Sequence, residues 1–277
     1  MGDTLPEPLT DLSDDGLKAA IEADQVATRV LAPEVPVEIH ADHDATWGIA
    51  DYPDPFRSTV VSARFTAADA DRRIREISAA FAARATGFLW WVAPFHTPAD
   101  LGVRLLNAGL RFEGTAPAMA MDLEALPRDE ARPPGLQIEP VRDEATLREF
   151  IGVLALEMGT PEGSPNPAAH HHAALLQSIP PTLAGERIPL RYLGRLDGRA
   201  VATSRISIGG GVAGLYAVAT LPDVRGRGIG RAMTLAALDA GRALGYRIGV
   251  LQASDAGLPV YRRLGFRTMF DYAVYQA

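Results

Sequence analysis

Along residues 136–277, short apolar runs alternate with stretches whose apolar positions recur every three or four residues, and the two periods separate strands from helices. Leu136–Val141 reads as a short strand. Asp143 is placed to cap the helix after it, where Leu147, Phe150, Ile151 and Leu154 share one face. Pro161–Pro167 is a loop, and Ala168–Ile179 a second helix. Leu190–Leu196 and Ala200–Ile208 flank Asp197-Gly198, a favoured two-residue hairpin turn. Val212–Thr220 is a further strand. Ile229–Leu244 is a helix stopped by Gly245, with Ala232, Leu235, Ala236, Leu238 and Ala243 as its expected apolar face. Ile248–Ala253 is a strand, Asp255–Leu264 a helix stopped by Gly265, and Phe266–Gln276 one or two closing strands. This order predicts an α/β layer around a sheet of mixed strand direction.

The first half carries a similar tail. Ala67–Ala85 is a helix, Phe88–Ala93 (FLWWVA) a strand, Asp100–Asn107 a helix stopped by Gly109, and Ala118–Leu123 a strand. Trp90 and Trp91 are adjacent in a strand, so their rings face opposite ways, one to the core and one to a neighbouring domain. Between the halves, EALPRDEARPPG (124–135) is charged, holds three prolines and has no apolar period. It separates residues 1–125 from 136–277, with 126–135 as the linker. The segments LLNAGLRF (105–112) and YRRLGFRT (261–268) both close a helix on a glycine before a strand, a faint internal repeat.

Composition narrows the function. A net charge of -7 argues against a general nucleic-acid partner. With no cysteine there is no disulfide, no thiolate nucleophile and no cysteine-held zinc. No segment approaches a membrane span, and the acidic first residues do not form a secretory leader, so a cytoplasmic protein is expected.

The chemistry concentrates in VATLPDVRGRGIGRAMTLAALDAG (218–241), where three glycines and three arginines occupy seven positions between a strand and a helix. Free amides at a helix start form an anion site. Gly226, Gly228 and Gly230 let a ligand approach the backbone, and Arg225, Arg227 and Arg231 add charge. A pyrophosphate suits this chemistry. The dinucleotide glycine spacing fails, because Arg231 or Met233 stands where its third small residue belongs, and no Walker Gly-Lys-Ser/Thr follows.

The arrangement resembles the acyl-CoA motif of the GNAT superfamily N-acetyltransferases: Arg or Gln, two residues, Gly, one residue, Gly or Ala, met here by Arg225, Gly228 and Gly230. A second family element, a strand, a small polar residue and a tyrosine-bearing helix ending in Leu-Gly-Phe, is met by VLQASDAGLPVYRRLGF (250–266). The resemblance covers roughly residues 140–277 and implies a GNAT-like mixed central sheet flanked by helices; with the internal repeat, two tandem copies are expected. It implies acetyl transfer from acetyl-CoA, with no metal, to a primary amine. Val218, Ala219, Thr220 and Leu221 would face the pantetheine arm, with Ala219 and Leu221 offering backbone. The amides of Val224–Arg231, Ile229 included, would hold the pyrophosphate. Ser254 stands where the family often has Asn, and Ala256 and Gly257 would let the arm pass. Tyr261 matches the tyrosine that protonates the leaving sulfur.

Many relatives carry a carboxylate on the fourth strand; VAGLYAVAT (212–220) has none. Glu157 and Glu162 are candidate bases, and Tyr216 lines either the acceptor pocket or the sheet. His170, His171 and His172 are successive on a helix and do not converge on a metal. His40 and His43 with two aspartates (HADHD, 40–44) have poor ligand spacing. The first half has no glycine between Val60 and Gly87, where a phosphate cradle would lie. It is therefore expected to be a degenerate copy that covers the acceptor site, stabilises the pair of halves or mediates homodimerisation; a unique α+β cap is the alternative. Neither membrane nor nucleic acid is an expected partner. An acyl-CoA-binding module without turnover, and a nucleotide-binding regulator of another fold, are the competing functions.

Overall fold

The computed structural model describes residues 5–31, 37–50, 58–128, 132–157 and 190–277. The first half runs α1 (Asp14–Val26), β1 (Val37–Ala41), β2 (Ala45–Ala50), β3 (Thr59–Ala63), α2 (Ala70–Ala83), β4 (Leu89–Val92), α3 (Leu101–Asn107) and β5 (Arg111–Asp122). The second runs β6 (Leu136–Pro140), α4 (Glu144–Glu157), β7 (Arg191–Leu196), β8 (Arg199–Gly209), β9 (Val212–Thr220), α5 (Ile229–Ala243), β10 (Ile248–Gln252), α6 (Leu258–Leu264) and β11 (Arg267–Gln276). A described counterpart to the expected loop and helix at 161–179 is lacking, because they lie outside these residues.

The eleven strands among the described residues form one sheet, in the order β1-β2-β3-β4-β11-β5-β10-β9-β8-β7-β6. With β6 set aside as the one strand without a counterpart, the order reads the same from both ends when β1, β2, β3, β4 and β5 are exchanged for β7, β8, β9, β10 and β11. Each half is thus a copy of the other about an axis between β5 and β11. The copies also share the β-α-β-α-β tail: α3 closes on Gly109 (φ +95°) and α6 on Gly265 (φ +101°), left-handed positions that glycine occupies without strain.

The halves interdigitate. The last strand of the second half, β11, lies between β4 and β5 of the first. The last strand of the first half, β5, lies between β10 and β11 of the second. Trp90 is buried among Phe65, Phe81 and Phe88 in the first half's core. Trp91 faces the other way and packs edge-on to Tyr272 of β11, with ring centroids 5.6 Å apart.

Helix α1 crosses the middle of this sheet. Ser13 caps it through Oγ, which accepts from Gly16 N at 3.1 Å. Leu17, Ala20 and Ile21 bury against Ile248 and Val250 of β10 and Ala118 and Ala120 of β5. Its Glu22 accepts from Ser62 Oγ (3.0 Å) and Arg64 Nη2 (2.6 Å) on β3 and its end, and pairs with His96 Nε2 at 3.1 Å. Burial alone would raise the Glu22 carboxyl, but the His96 and Arg64 hydrogen bonds outweigh it and hold the group at about 2. The folded value lies below the ordinary 4.5. This stabilisation is therefore complete above about pH 4.5 and lost as pH falls through about 2. Glu22→Gln is expected to lower stability at pH 7 by about 2 kcal/mol and to flatten the acid limb of denaturant midpoint against pH. An unchanged limb would refute the assignment.

Candidate functional site

The site begins where two parallel strands part. β9 pairs with β10 at Ala213↔Gly249 and Gly214↔Val250 and nowhere beyond, while β9 keeps its partner β8 as far as Thr220. The parting coincides with a bulge in β9. Ala217 takes φ +50°, uncommon for a residue with a side chain, and the register with β8 slips there. Thr203 Oγ1 donates to the Ala217 carbonyl at 2.8 Å and steadies the bulge. Val218, Ala219 and Thr220 follow on the strand edge that β10 has left.

At the mouth of this gap the chain turns into α5. Leu221 N donates to Val201 O at 2.9 Å, a single 3-10 turn spans Pro222–Val224, and Val224 is buried beneath it. Gly226 (φ +76°) and Gly228 (φ +80°) then bend the backbone through left-handed conformations. Gly228 is the N-cap of α5; no side chain caps the helix, and its first turn has no acid. The first amides of a helix have no intrahelical acceptor. Here they point out with a positive dipole end and no competing carboxylate. Arg225, Arg227 and Gly226 are exposed beside them, and Arg225 Nε is clasped to Thr220 O at 3.0 Å. Gly230 is less exacting: a Cβ there would make an ordinary 3.5 Å contact with Thr220 Oγ1.

The linker completes one wall. Pro127, Arg128, Arg132 and Pro133 face Arg227, Arg231 and the first turns of α5 across a groove of about 600 Å³. Ala232 and Ala236, expected on the buried face of α5, are half-buried and line this groove, and Ala243 is exposed. The face against the sheet is Ile229, Met233, Ala237, Leu238 and Gly241. Alanine suits either face, which is why the apolar period misjudged the rotation. Gly241 sets the approach, because a Cβ there would lie 2.7 Å from Ala213 Cβ.

The far wall is the β10–α6 turn. Ser254 Oγ accepts from Gly257 N at 3.2 Å, so its hydroxyl closes the turn. Gly257 makes room for Tyr261: a Cβ would stand 2.7 Å from Tyr261 Cε2. The Tyr261 ring is buried against Phe266, centroids 5.9 Å apart. Burial pushes its hydroxyl up to about 12, so it stays protonated at neutral pH.

Tyr216, just before the bulge, points to the opposite sheet face from Ala213 and Leu215, which pack with α5. Its hydroxyl donates to Asp24 Oδ2 of α1 and lies 3.2 Å from Thr28 Oγ1. The Arg205 guanidinium stands 5.6 Å from its ring. Asp24 is fully buried, and burial raises it to about 7 against the Tyr216 hydrogen bond and the charges of Arg29 and Arg205. Sequence reading missed Asp24. Its signal is position: with Leu17, Ala20 and Ile21 it continues the apolar stripe of an amphipathic helix, where an acid is out of place.

The other sequence candidates divide. Glu162 and His170–His172 lie outside the described residues, as does the side chain of Glu157. His40 stacks on Trp47 at 3.7 Å and bonds Glu38, and Asp42 and Asp44 both serve Arg73. Among the described residues no group of three or more His, Cys, Asp or Glu is placed to hold a metal. No described helix is long and apolar enough to cross a membrane.

In the first half the equivalent gap is closed. After β3 and β4 pair at Thr59↔Leu89 and Val60↔Trp90, the chain rejoins: Thr97 N donates to Ala63 O at 3.2 Å and Phe65 N to Thr97 O at 3.1 Å. The start of α2 presents Asp69 and Asp71, a poor setting for an anion.

A mixed sheet with a splayed parallel pair, a bulged strand and a glycine turn at a helix start defines a GNAT fold. Residues 155–266 match the model of the acetyltransferase (GNAT) family. Its fold resembles that of a GCN5-related N-acetyltransferase from Kribbella flavida (19% identity, TM-score 0.68, covering 97% of this chain and 96% of that one). It also resembles one from Sphaerobacter thermophilus (17% identity, TM-score 0.62, covering 86% and 81%). A tandem GNAT protein from the clavulanic acid biosynthesis pathway aligns over 98% of this chain and 97% of its own (15% identity, TM-score 0.54). No curated protein sequence matches the chain.

Proposed function

We propose that the chain is an acetyl-CoA-dependent N-acetyltransferase acting on a primary amine. One observation carries this reading: the uncapped, acid-free start of α5 opens at the mouth of the gap between β9 and β10. An anion held at the turn can therefore lead an extended arm along the free edge of β9. The amides of Val224–Arg231 would hold a diphosphate, with Arg225 fixing the turn. The basic groove between α5 and the linker suits the phosphorylated nucleoside end of coenzyme A. Val218–Leu221 would pair with the arm, and Gly257 keeps the facing wall low.

The amine must be neutral to attack, and the sulfur must leave protonated. Holding two reactants in line lowers the barrier by several kcal/mol. Tyr261, buried and protonated at neutral pH, would give the sulfur its proton. Tyr261→Phe is expected to lower turnover at least tenfold while leaving the calorimetric affinity for coenzyme A within about twofold. Equal turnover would remove Tyr261 from the chemistry. A net charge of -7 supports a cationic acceptor and speaks against a nucleic-acid partner.

The test is thiol release from acetyl-CoA with a panel of polyamines, aminoglycosides and peptides. Tight coenzyme A binding without thiol release would favour a binding module. Protection against heat by ATP or NAD but not by coenzyme A would favour another nucleotide ligand.

A further inference from the structure

We propose that Asp24, on the first helix of the N-terminal half, is the base that takes the proton of the acceptor amine in the C-terminal half, acting through the hydroxyl of Tyr216. The proposal rests on the acetyl-transfer reading above.

Three observations carry it. The strand beside the gap has no acid of its own, and Gly214 leaves a hole in its side-chain row. Asp24 fills that hole: a Cβ built on Gly214 would collide with Asp24 Oδ1 and stand 2.7 Å from Oδ2. Because Gly214 is the last β9 residue paired with β10, the carboxylate sits at the fork of the gap.

Second, the carboxylate is wired outward and otherwise left unsatisfied. Oδ2 receives the Tyr216 hydroxyl, while Oδ1 is buried without a hydrogen-bond partner. An orphaned buried carboxylate oxygen is costly, and such groups persist where function needs them. Tyr216 is half-buried as a residue, touches the carboxylate through its hydroxyl and immediately precedes the bulge on the strand beside the gap.

Third, α1 treats its two inward carboxylates oppositely. Glu22 is tied to Arg64 and His96 and held ionised. Asp24, one half-turn on, has a phenol as its direct partner and is pushed up to about 7, where a base can exchange protons at neutral pH. The titratable groups facing Asp24 are Tyr216 from β9, Arg205 from β8, Tyr272 from β11 and, on its own segment, Arg29; Glu22 is turned to Arg64 and His96.

The step balances. An ammonium beside Tyr216 passes a proton to the phenolic oxygen as the phenolic proton moves to Asp24. The freed lone pair forms the C–N bond at the thioester carbon of acetyl-CoA, the C–S bond breaks, and the sulfur takes the Tyr261 proton. Tyr261 regains the proton that the nitrogen sheds on becoming an amide. The proton left on Asp24 returns to water.

The experiment is acetyl-CoA thiol release by the full chain with the best alkylamine of the panel, from pH 5.5 to 9. In the parent, kcat/KM is expected to rise with unit slope and to level near pH 7. Asp24→Asn should lower it about 100-fold at pH 7 and erase that limb, with unchanged coenzyme A affinity by calorimetry. Tyr216→Phe, which keeps the ring and the buried carboxylate, should lower it at least tenfold and serves should Asp24→Asn fail to fold. Parent and folded variants with the same limb and the same rates would overturn the role of Asp24 and leave the acetyl-transfer reading intact. A parent that releases thiol with no amine would overturn both.

Discussion

Residues 136–277 expressed alone will fail to reach a cooperatively folded state, and co-expression with residues 1–128 will restore it. The reason is the exchanged strands. Without the first half, β10 loses β5, and β11 loses both its neighbours, β4 and β5. Tyr272, Ile248 and Val250, all fully buried in the whole chain, lose the cover of α1, β5 and β4. Each such side chain is worth roughly 1.5–3 kcal/mol on burial, and a domain's whole margin is about 5–15 kcal/mol. A handful of exposed core residues is therefore enough to unfold it, and bare strand edges favour aggregation. Far-UV circular dichroism should show a broad, non-cooperative melt for the isolated half, against a sharp melt for the co-purified pair. A sharp transition of the isolated half near that of the whole chain would show that the exchange is dispensable.

The same exchange explains what was legible in the sequence. The second half was read almost element by element, because its hairpin at Asp197-Gly198 and its helix stops at Gly245 and Gly265 are local signals that the fold keeps. The longer β5 was read only from Ala118. Its leading residues, RFEGTAP, include a glycine and a proline that break a local strand signal, and they gain their strand from pairing with β11, more than 150 residues away. Helix α1 and strands β1–β3 were not read at all. Their apolar positions are short or interrupted by residues whose partners are distant, as Asp24 is by Tyr216 and Glu22 by Arg64 and His96. Residue spacing exposed the glycine turn because its function is local backbone geometry. It could not expose a carboxylate carried in from another helix, because nothing near position 24 in the chain reports what lies against it. Gly214 was the complementary clue, a strand position kept empty for a side chain that arrives from elsewhere.

Gly228→Asp will raise the dissociation constant for coenzyme A by at least about 100-fold, whereas Gly228→Asn will raise it only several-fold. Position 228 has φ +80°, a left-handed conformation that Asn and Asp enter more readily than other residues with side chains, so both variants bear a similar backbone strain. Space does not separate them either: a Cβ there meets only Pro133 Cγ, at an ordinary 3.7 Å. What differs is charge. The aspartate carboxylate can accept from the first amides of α5 as an ordinary N-cap does, filling the site from within and repelling an incoming diphosphate. Two opposing terms therefore act on binding in the aspartate variant and neither acts fully in the asparagine variant. The aspartate should also raise the melting temperature of the free protein relative to the asparagine, because only its charge complements the positive end of the helix dipole. Binding and stability are then expected to move in opposite directions, a pattern that general damage to the loop would not produce. Isothermal titration with coenzyme A and a thermal melt of both variants measure the two quantities. Equal affinities for the aspartate and asparagine variants would mean that the amides of this turn do not receive the anion.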